Sequence, residues 1–139
     1  MFRLFSIIAA ALMLGLAVPA GATEVDFGYV LTNEDGVPVK DIFAQKKDDT
    51  ECDHCPPMTL GLAAAHALVM QLQDEHDLDP LQKWARGVLA MKVRDGRKVE
   101  ISVEEAATIK RLIGKVFGSV VIMQAFPMLD PSEKPPPVK

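Results

Sequence analysis

Both cysteines of the chain lie in one short segment, Glu51-Cys52-Asp53-His54-Cys55, with a histidine between them. Thiol and imidazole groups form disulfides, exchange electrons with other thiols and bind zinc. Cys52, His54 and Cys55 are therefore the first candidates for chemistry, and three interpretations of them stay open.

The first interpretation is a Cys52–Cys55 disulfide, which an oxidising compartment favours. The loop that it closes is short, so the bridge constrains the unfolded chain little and contributes mainly local shape. The second is a thioredoxin-type redox pair, which needs a C-x-x-C at a helix start, where the helix dipole lowers a thiol pKa. Here Pro56 and Pro57 separate the pair from the predicted helix, and no β-α-β pattern precedes it.

The third interpretation is a zinc site. Cys52, His54 and Cys55 would supply three of the four N or S ligands that zinc prefers. His66 is the expected fourth ligand, with His76 or a nearby carboxylate as alternatives, because the chain has no second C-x₂-C and no H-x₃₋₅-H. As His66 lies in an apolar segment, the role of a hydrogen-bonded core histidine is favoured for it. Apart from zinc, no cofactor is expected.

No motif for enzymatic catalysis accompanies these residues. The chain contains no G-x-S-x-G, no glycine-rich phosphate loop and no H-E-x-x-H. The acids around the cysteines lack the EF-hand frame for calcium. The sequence therefore indicates a protein that is not an enzyme.

The N-terminus has the pattern of a secretory signal peptide. Arg3 precedes an apolar run over residues 4–16, and Ala20-Gly21-Ala22 matches an A-x-A cleavage site. We predict a signal peptide over residues 1–22, with cleavage before Thr23 and export to the periplasm or outside the cell. The alternative is an inner-membrane anchor formed by residues 4–22, which are just long enough to span a bilayer.

The chain is acidic, with 15 basic and 19 acidic side chains. This charge gives no reason to expect a nucleic-acid partner. A protein partner fits better, and membrane contact is expected only through the signal segment if it stays uncleaved. Residues 83–115 hold nine basic and four acidic side chains. They indicate complementary packing between the two halves of the chain or, as the alternative, a basic docking face.

The remaining pattern predicts one small domain over residues 23–130. A β-hairpin is expected over residues 26–40 around Asp35-Gly36, followed by a loop over 41–57 and helices over 59–129. The proline-rich tail, residues 131–139, is expected to be disordered. The fold class is mainly α with a small β-hairpin (α+β), with three to four packed helices.

Capping residues predict where the helices begin. Thr59 precedes a helix that runs to about Asp74, Asp79 precedes a second, and Ser102 with Glu105 forms a capping box for a third. Lys98 to Ile101 is predicted to form a short strand, and Gly118 is predicted to separate the third helix from a last one. One apolar stripe of the second helix is expected to face the core, and it consists of Leu81, Trp84, Ala85, Val88 and Leu89.

The order of these motifs resembles a group of small tailed-phage and prophage proteins. The matching segments are Asp35-Gly36-Val37-Pro38-Val39-Lys40-Asp41, Met58-Thr59-Leu60-Gly61, residues 85–93, Ser102-Val103-Glu104-Glu105 and residues 109–115. The resemblance covers roughly residues 26–129 and implies a short helical protein with no catalytic residues. The signal peptide and the cysteine segment depart from that group.

Two function hypotheses follow. The first is an exported, small, non-enzymatic binding protein of prophage origin. The second is a periplasmic metal-binding or thiol-redox protein that acts through Cys52, His54 and Cys55.

Overall fold

The computed structural model of the chain describes residues 21–44, 52, 54–75 and 77–137. Nearly all of the predicted signal segment lies outside this part. The described residues form four α-helices and one two-stranded antiparallel sheet, which confirms the predicted mainly-α class with a small β component. The elements are β1 (Thr23–Asp26), α1 (Leu60–Val69), α2 (Pro80–Arg94), β2 (Lys98–Ile101), α3 (Val103–Val116) and α4 (Ser119–Leu129), with 3₁₀ turns at Ile42–Ala44 and Gln73–Glu75.

The sheet joins two segments that are far apart in the sequence. β1 pairs with β2, and Val25 stands opposite Val99. Val25 and Ile101 are buried while Glu24 is exposed, as the two-residue period of a strand requires. The short strand predicted at β2 is confirmed, but its partner could not be predicted. A strand's partner depends on which faces are buried together in the fold.

The segment expected to form a hairpin before the cysteine loop makes the turn but little pairing. The side-chain oxygen of Asn33 accepts a hydrogen bond from the N–H of Val37 at 2.8 Å, and Gly36 has a φ of 77°, which glycine adopts without strain. The two arms meet in one bridge, between Thr32 and Pro38, with a backbone hydrogen bond of 2.8 Å on each side of it, from Asn33 to Val37 and from Val39 to Leu31. Both arms then bridge to the residues that lead into α1. The small sheet of the fold is therefore β1–β2 and not this turn.

The predicted helix starts are confirmed. The side chains of Thr59 and Asp79 each accept a hydrogen bond of 3.1 Å from a backbone N–H in the first turn. Ser102 and Glu105 exchange the two hydrogen bonds of a capping box, at 2.9 and 3.1 Å. Gly118 stands between α3 and α4, at the predicted break.

Helix α1 is the central helix and packs against α2 and α3. It is buried on most sides, as its alanine-rich sequence predicts. Gly61 lies where α1 meets α2. The close approach requires a glycine, because a Cβ atom there would collide with the carbonyl oxygen of Val93. The helix ends at Val69, before the predicted end near Asp74, since the backbone becomes extended at Met70.

Helix α2 does not bury the stripe that its sequence predicted. Most of the stripe is exposed: Leu81, Trp84, Ala85 and Val88. Leu89 alone is buried as expected, and Ala90 and Val93 complete the buried side. The prediction was wrong because periodicity shows which residues share a face, and not which face meets the neighbouring helix.

Helix α4 and the tail are held to the rest of the domain by side-chain contacts. The Gln124 side chain pairs with the backbone of Thr32, accepting from its N–H at 3.0 Å and donating to its carbonyl at 2.6 Å. The described tail residues form neither helix nor strand. Glu133 forms an ion pair with Lys110 of α3, which fastens the start of the tail to the domain. No helix among the described residues is long and apolar enough to cross a bilayer.

Candidate functional site

The two cysteines lie at disulfide distance. The Cα atoms of Cys52 and Cys55 are 5.2 Å apart, within the usual range for a bridge. The N–H of Cys55 donates to the carbonyl of Cys52 at 3.3 Å, so the segment is a tight turn. His54 is exposed at this turn. A pair at this distance is compatible with either function hypothesis.

The segment after the cysteines is attached along the arm that carries Asp41. The N–H of Asp41 donates to the carbonyl of Pro56 at 2.9 Å, and Lys40 bridges Pro57. Four residues, 56–59, separate Cys55 from the first residue of α1. Because the helix field acts within about one turn of the helix end, this arrangement does not set the thiols at the start of the helix.

His66 of α1 has a buried carboxylate as its partner. Its Nε2 lies 3.3 Å from Asp41, which is only 4% exposed. Asp41 also accepts a hydrogen bond from the N–H of Phe43 at 3.0 Å, and the Phe43 ring stacks on His66 with centroids 4.4 Å apart. The Phe43 ring also meets the Phe117 ring edge-on, with ring centroids 6.1 Å apart. These contacts hold Asp41 and the 3₁₀ turn at Ile42–Ala44 against α1, and they give His66 the structural, hydrogen-bonded role that the sequence favoured.

The proposed zinc ligands are not gathered into one site. Among residues 21–44, 52, 54–75 and 77–137, no three His, Cys, Asp or Glu side chains are grouped as metal ligands. Cys52 and Cys55 lie at disulfide distance from each other, and His66 contacts Asp41. The alternative ligand His76 and the carboxylates beside the cysteines lie outside the described residues. Zinc binding by Cys52, His54, Cys55 and His66 stays a prediction for the reduced chain.

A charge cluster accounts for several of the basic residues after position 83. Glu75, in the turn between α1 and α2, accepts two hydrogen bonds from Arg86 at 2.6 and 3.0 Å and one from Arg111 at 2.7 Å. Lys115 lies 3.6 Å away and also pairs with Asp74 at 2.5 Å. The hydrogen bonds from Arg86 and Arg111 lower the pKa of Glu75 from its ordinary value to about 2. The cluster joins α2 to α3 and is structural.

The most unusual surface feature is the exposed side of α2. We call it the α2 face, and it consists of Leu81, Trp84, Val88 and Met91. These side chains are between 51% and 76% exposed, and their spacing of three and four residues places them on one side of the helix. Single exposed apolar residues are common, but a contiguous group of them marks a binding surface. The apolar periodicity of α2 placed Leu81, Trp84 and Val88 in the core, so the sequence did not predict this face.

Comparison with known proteins adds no further assignment. No protein-family model, curated protein or solved structure matches the chain.

Proposed function

We propose that this chain is an exported, non-enzymatic binding protein that contacts its partner through the α2 face. One observation carries the proposal, namely that four large apolar side chains stand in solvent on a single helix. Leaving such a group uncovered forgoes the free energy of burying it, about 1.5 to 3 kcal/mol for each side chain. A partner that covers the face would recover that free energy.

The position of the first strand supports export. β1 begins at Thr23, directly after the predicted cleavage site, and pairs with Ile101 there. Cleavage after Ala22 would therefore remove no residue of the described sheet or helices. The mature chain would keep the whole described fold.

The proposal has a direct test in a cell that exports the chain. The mass of the exported protein is expected to equal that of the chain without residues 1–22. Part of the exported protein is expected to remain with the cell envelope. A Leu81→Gln/Met91→Gln double variant should be released into the soluble fraction. Met123→Gln is the matched control, because Met123 is a similarly exposed methionine on α4. A double variant retained as strongly as the control would contradict the proposal.

A second candidate function is thiol exchange or metal binding through Cys52, His54 and Cys55. The observation in its favour is the exposed His54 on a turn closed by two cysteines at disulfide distance. A Cys52→Ser/Cys55→Ser variant separates the candidates. Under the first proposal, the variant should be retained by the envelope as strongly as the unchanged chain. Under the second, the unchanged chain should exchange thiols or bind zinc, and the variant should do neither. Titrating the reduced chain with zinc while following its melting temperature tests the metal alternative by itself.

We also propose a prophage origin for the domain, on the motif order described above. The neighbouring genes test it. Capsid and tail genes beside this one would support a phage origin, whereas oxidoreductase or metal-export genes would favour the second function.

A further inference from the structure

We propose that the α2 face binds the surface of a lipid bilayer that contains anionic phospholipids. The inference rests on the proposed binding function and names the partner. It goes beyond the expectation from sequence, which allowed membrane contact only through the signal segment.

The shape of the α2 face fits the surface of a bilayer. Leu81 and Met91 are ten residues apart, so the face is about 15 Å long at 1.5 Å per residue. It lies on a 15-residue helix whose opposite side is held against α1 by Leu89 and Val93. Trp84 lies between the two ends, and an indole ring favours the boundary between lipid headgroups and acyl chains. The helix can therefore lie flat on the bilayer while the domain stays folded.

The charge on α2 fits an anionic surface. The helix contains no acidic residue, from Pro80 through Arg94. Arg86 and Lys92 are engaged by Glu75 and Glu105 respectively. Two further basic side chains are exposed and form no ion pair within the part of the chain that the structure describes: Lys83 and Arg94.

Lys83 and Arg94 are positioned so that both can contact the same anionic surface. At 100° per residue, Lys83 and Arg94 lie along the same edge of the α2 face. The acids at the two ends of the helix already have partners within the chain: Asp79 caps the helix N-terminus, and Asp95 forms an ion pair with Arg97. The chain as a whole is acidic, so attraction to anionic lipid has to come from this local edge.

A second copy of the chain fits the same face less well. Pairing two α2 faces would bring Lys83 and Arg94 near the same charges of the other copy, which is unfavourable. A stable protein interface also buries roughly 800 Å² on each partner, more than four side chains on one helix supply. Contact with a bilayer brings no like charges together and needs no such area. Its apolar layer complements the apolar side chains of the face, and its negative headgroups complement Lys83 and Arg94.

The test uses the exported chain and vesicles made of phosphatidylglycerol and phosphatidylcholine in equal parts, or of phosphatidylcholine alone. Trp84 is the only tryptophan, so its fluorescence reports on the α2 face without labelling. We expect binding to the anionic vesicles with a blue shift of the emission, weakened by salt. Binding to the neutral vesicles should be much weaker.

Two sets of variants separate the contributions of charge and apolar contact. Lys83→Gln and Arg94→Gln should each weaken binding to the anionic vesicles about fivefold, since a basic residue near such a surface contributes about 1 kcal/mol. Lys98→Gln, an exposed lysine on β2, is the control and should change little. Leu81→Gln/Met91→Gln should weaken binding about tenfold or more, and Met123→Gln should not.

Three results would overturn the inference. They are vesicle binding without an emission shift, equal binding by the α2 variants and their controls, and no binding by the unchanged chain. A concentration-dependent dimer that the α2 variants dissociate would replace the bilayer with a second copy. If envelope retention depends on the α2 face while pure vesicles are not bound, this inference fails and the proposed binding function stands.

Discussion

Replacing Glu75 by glutamine tests how far the charge cluster holds α2 and α3 together. The Glu75 side chain is only 10% exposed, and so is shielded from solvent together with its partner Arg86. The pKa of Glu75 falls from 4.5 to about 2 in the fold. That difference corresponds to about 3 kcal/mol of preferential stabilisation of the ionised carboxylate. Because Arg111 and Lys115 are more exposed, we expect Glu75→Gln to lower the free energy of unfolding by about 2 to 3 kcal/mol.

The effect has a defined pH dependence. Folding lowers the pKa of Glu75, so the fold favours its ionised form. The stabilisation is complete above about pH 4.5 and is lost as the pH falls towards about 2. The difference in stability between the unchanged chain and Glu75→Gln should therefore be largest near neutral pH and shrink below pH 4.5.

Urea unfolding, followed by circular dichroism, measures this difference. With a dependence on urea of about 1 to 3 kcal/mol per molar, the midpoint should fall by about 1 to 2 M near neutral pH. Glu24→Gln is the matched control, because Glu24 is 62% exposed and lies 3.9 Å from Lys98. Its midpoint should stay close to that of the unchanged chain. An equal effect of the two substitutions, or a Glu75 effect that grows as the pH falls, would refute the reasoning.

Two further substitutions, each with a control, test contacts that hold the domain together. Gly61→Ala should destabilise the domain by several kcal/mol in thermal unfolding, because the added methyl group meets a backbone carbonyl of α2. Gly87→Ala is the control: the space around Gly87 is open, so this substitution should stabilise the domain by about 0.5 to 1 kcal/mol. Gln124→Ala should cost about 1 to 3 kcal/mol by leaving the N–H and carbonyl of Thr32 without their partner, whereas Gln82→Ala on exposed α2 surface should change the melting temperature little.

Local signals in the sequence predicted the helices well. Thr59, Asp79 and Ser102 mark helix starts because a capping side chain acts on the backbone two or three residues away. Nothing distant is needed for that interaction. The turn at Gly36 was predictable for the same reason, since it depends on the residue's own φ.

Features that depend on distant partners could not be predicted. β1 pairs with β2 across most of the domain, and Asp41 meets His66 through tertiary packing. Most of the α2 face was assigned to the core because its residues share one apolar stripe with Leu89, and the stripe alone does not show which of its members are buried. The absence of any acid in α2 was visible in the sequence, and it is one of the observations behind the proposed contact with an anionic surface.

The account depends most directly on whether Trp84 is open to solvent in the free chain and covered in the bound one. Fluorotryptophan, incorporated at this single tryptophan, gives one fluorine resonance whose shift between water and heavy water reports solvent contact. We predict a large solvent shift for the purified chain and its loss when envelope membranes are added. A Trp84 already shielded in the free chain, or one equally open with and without membranes, would contradict the account.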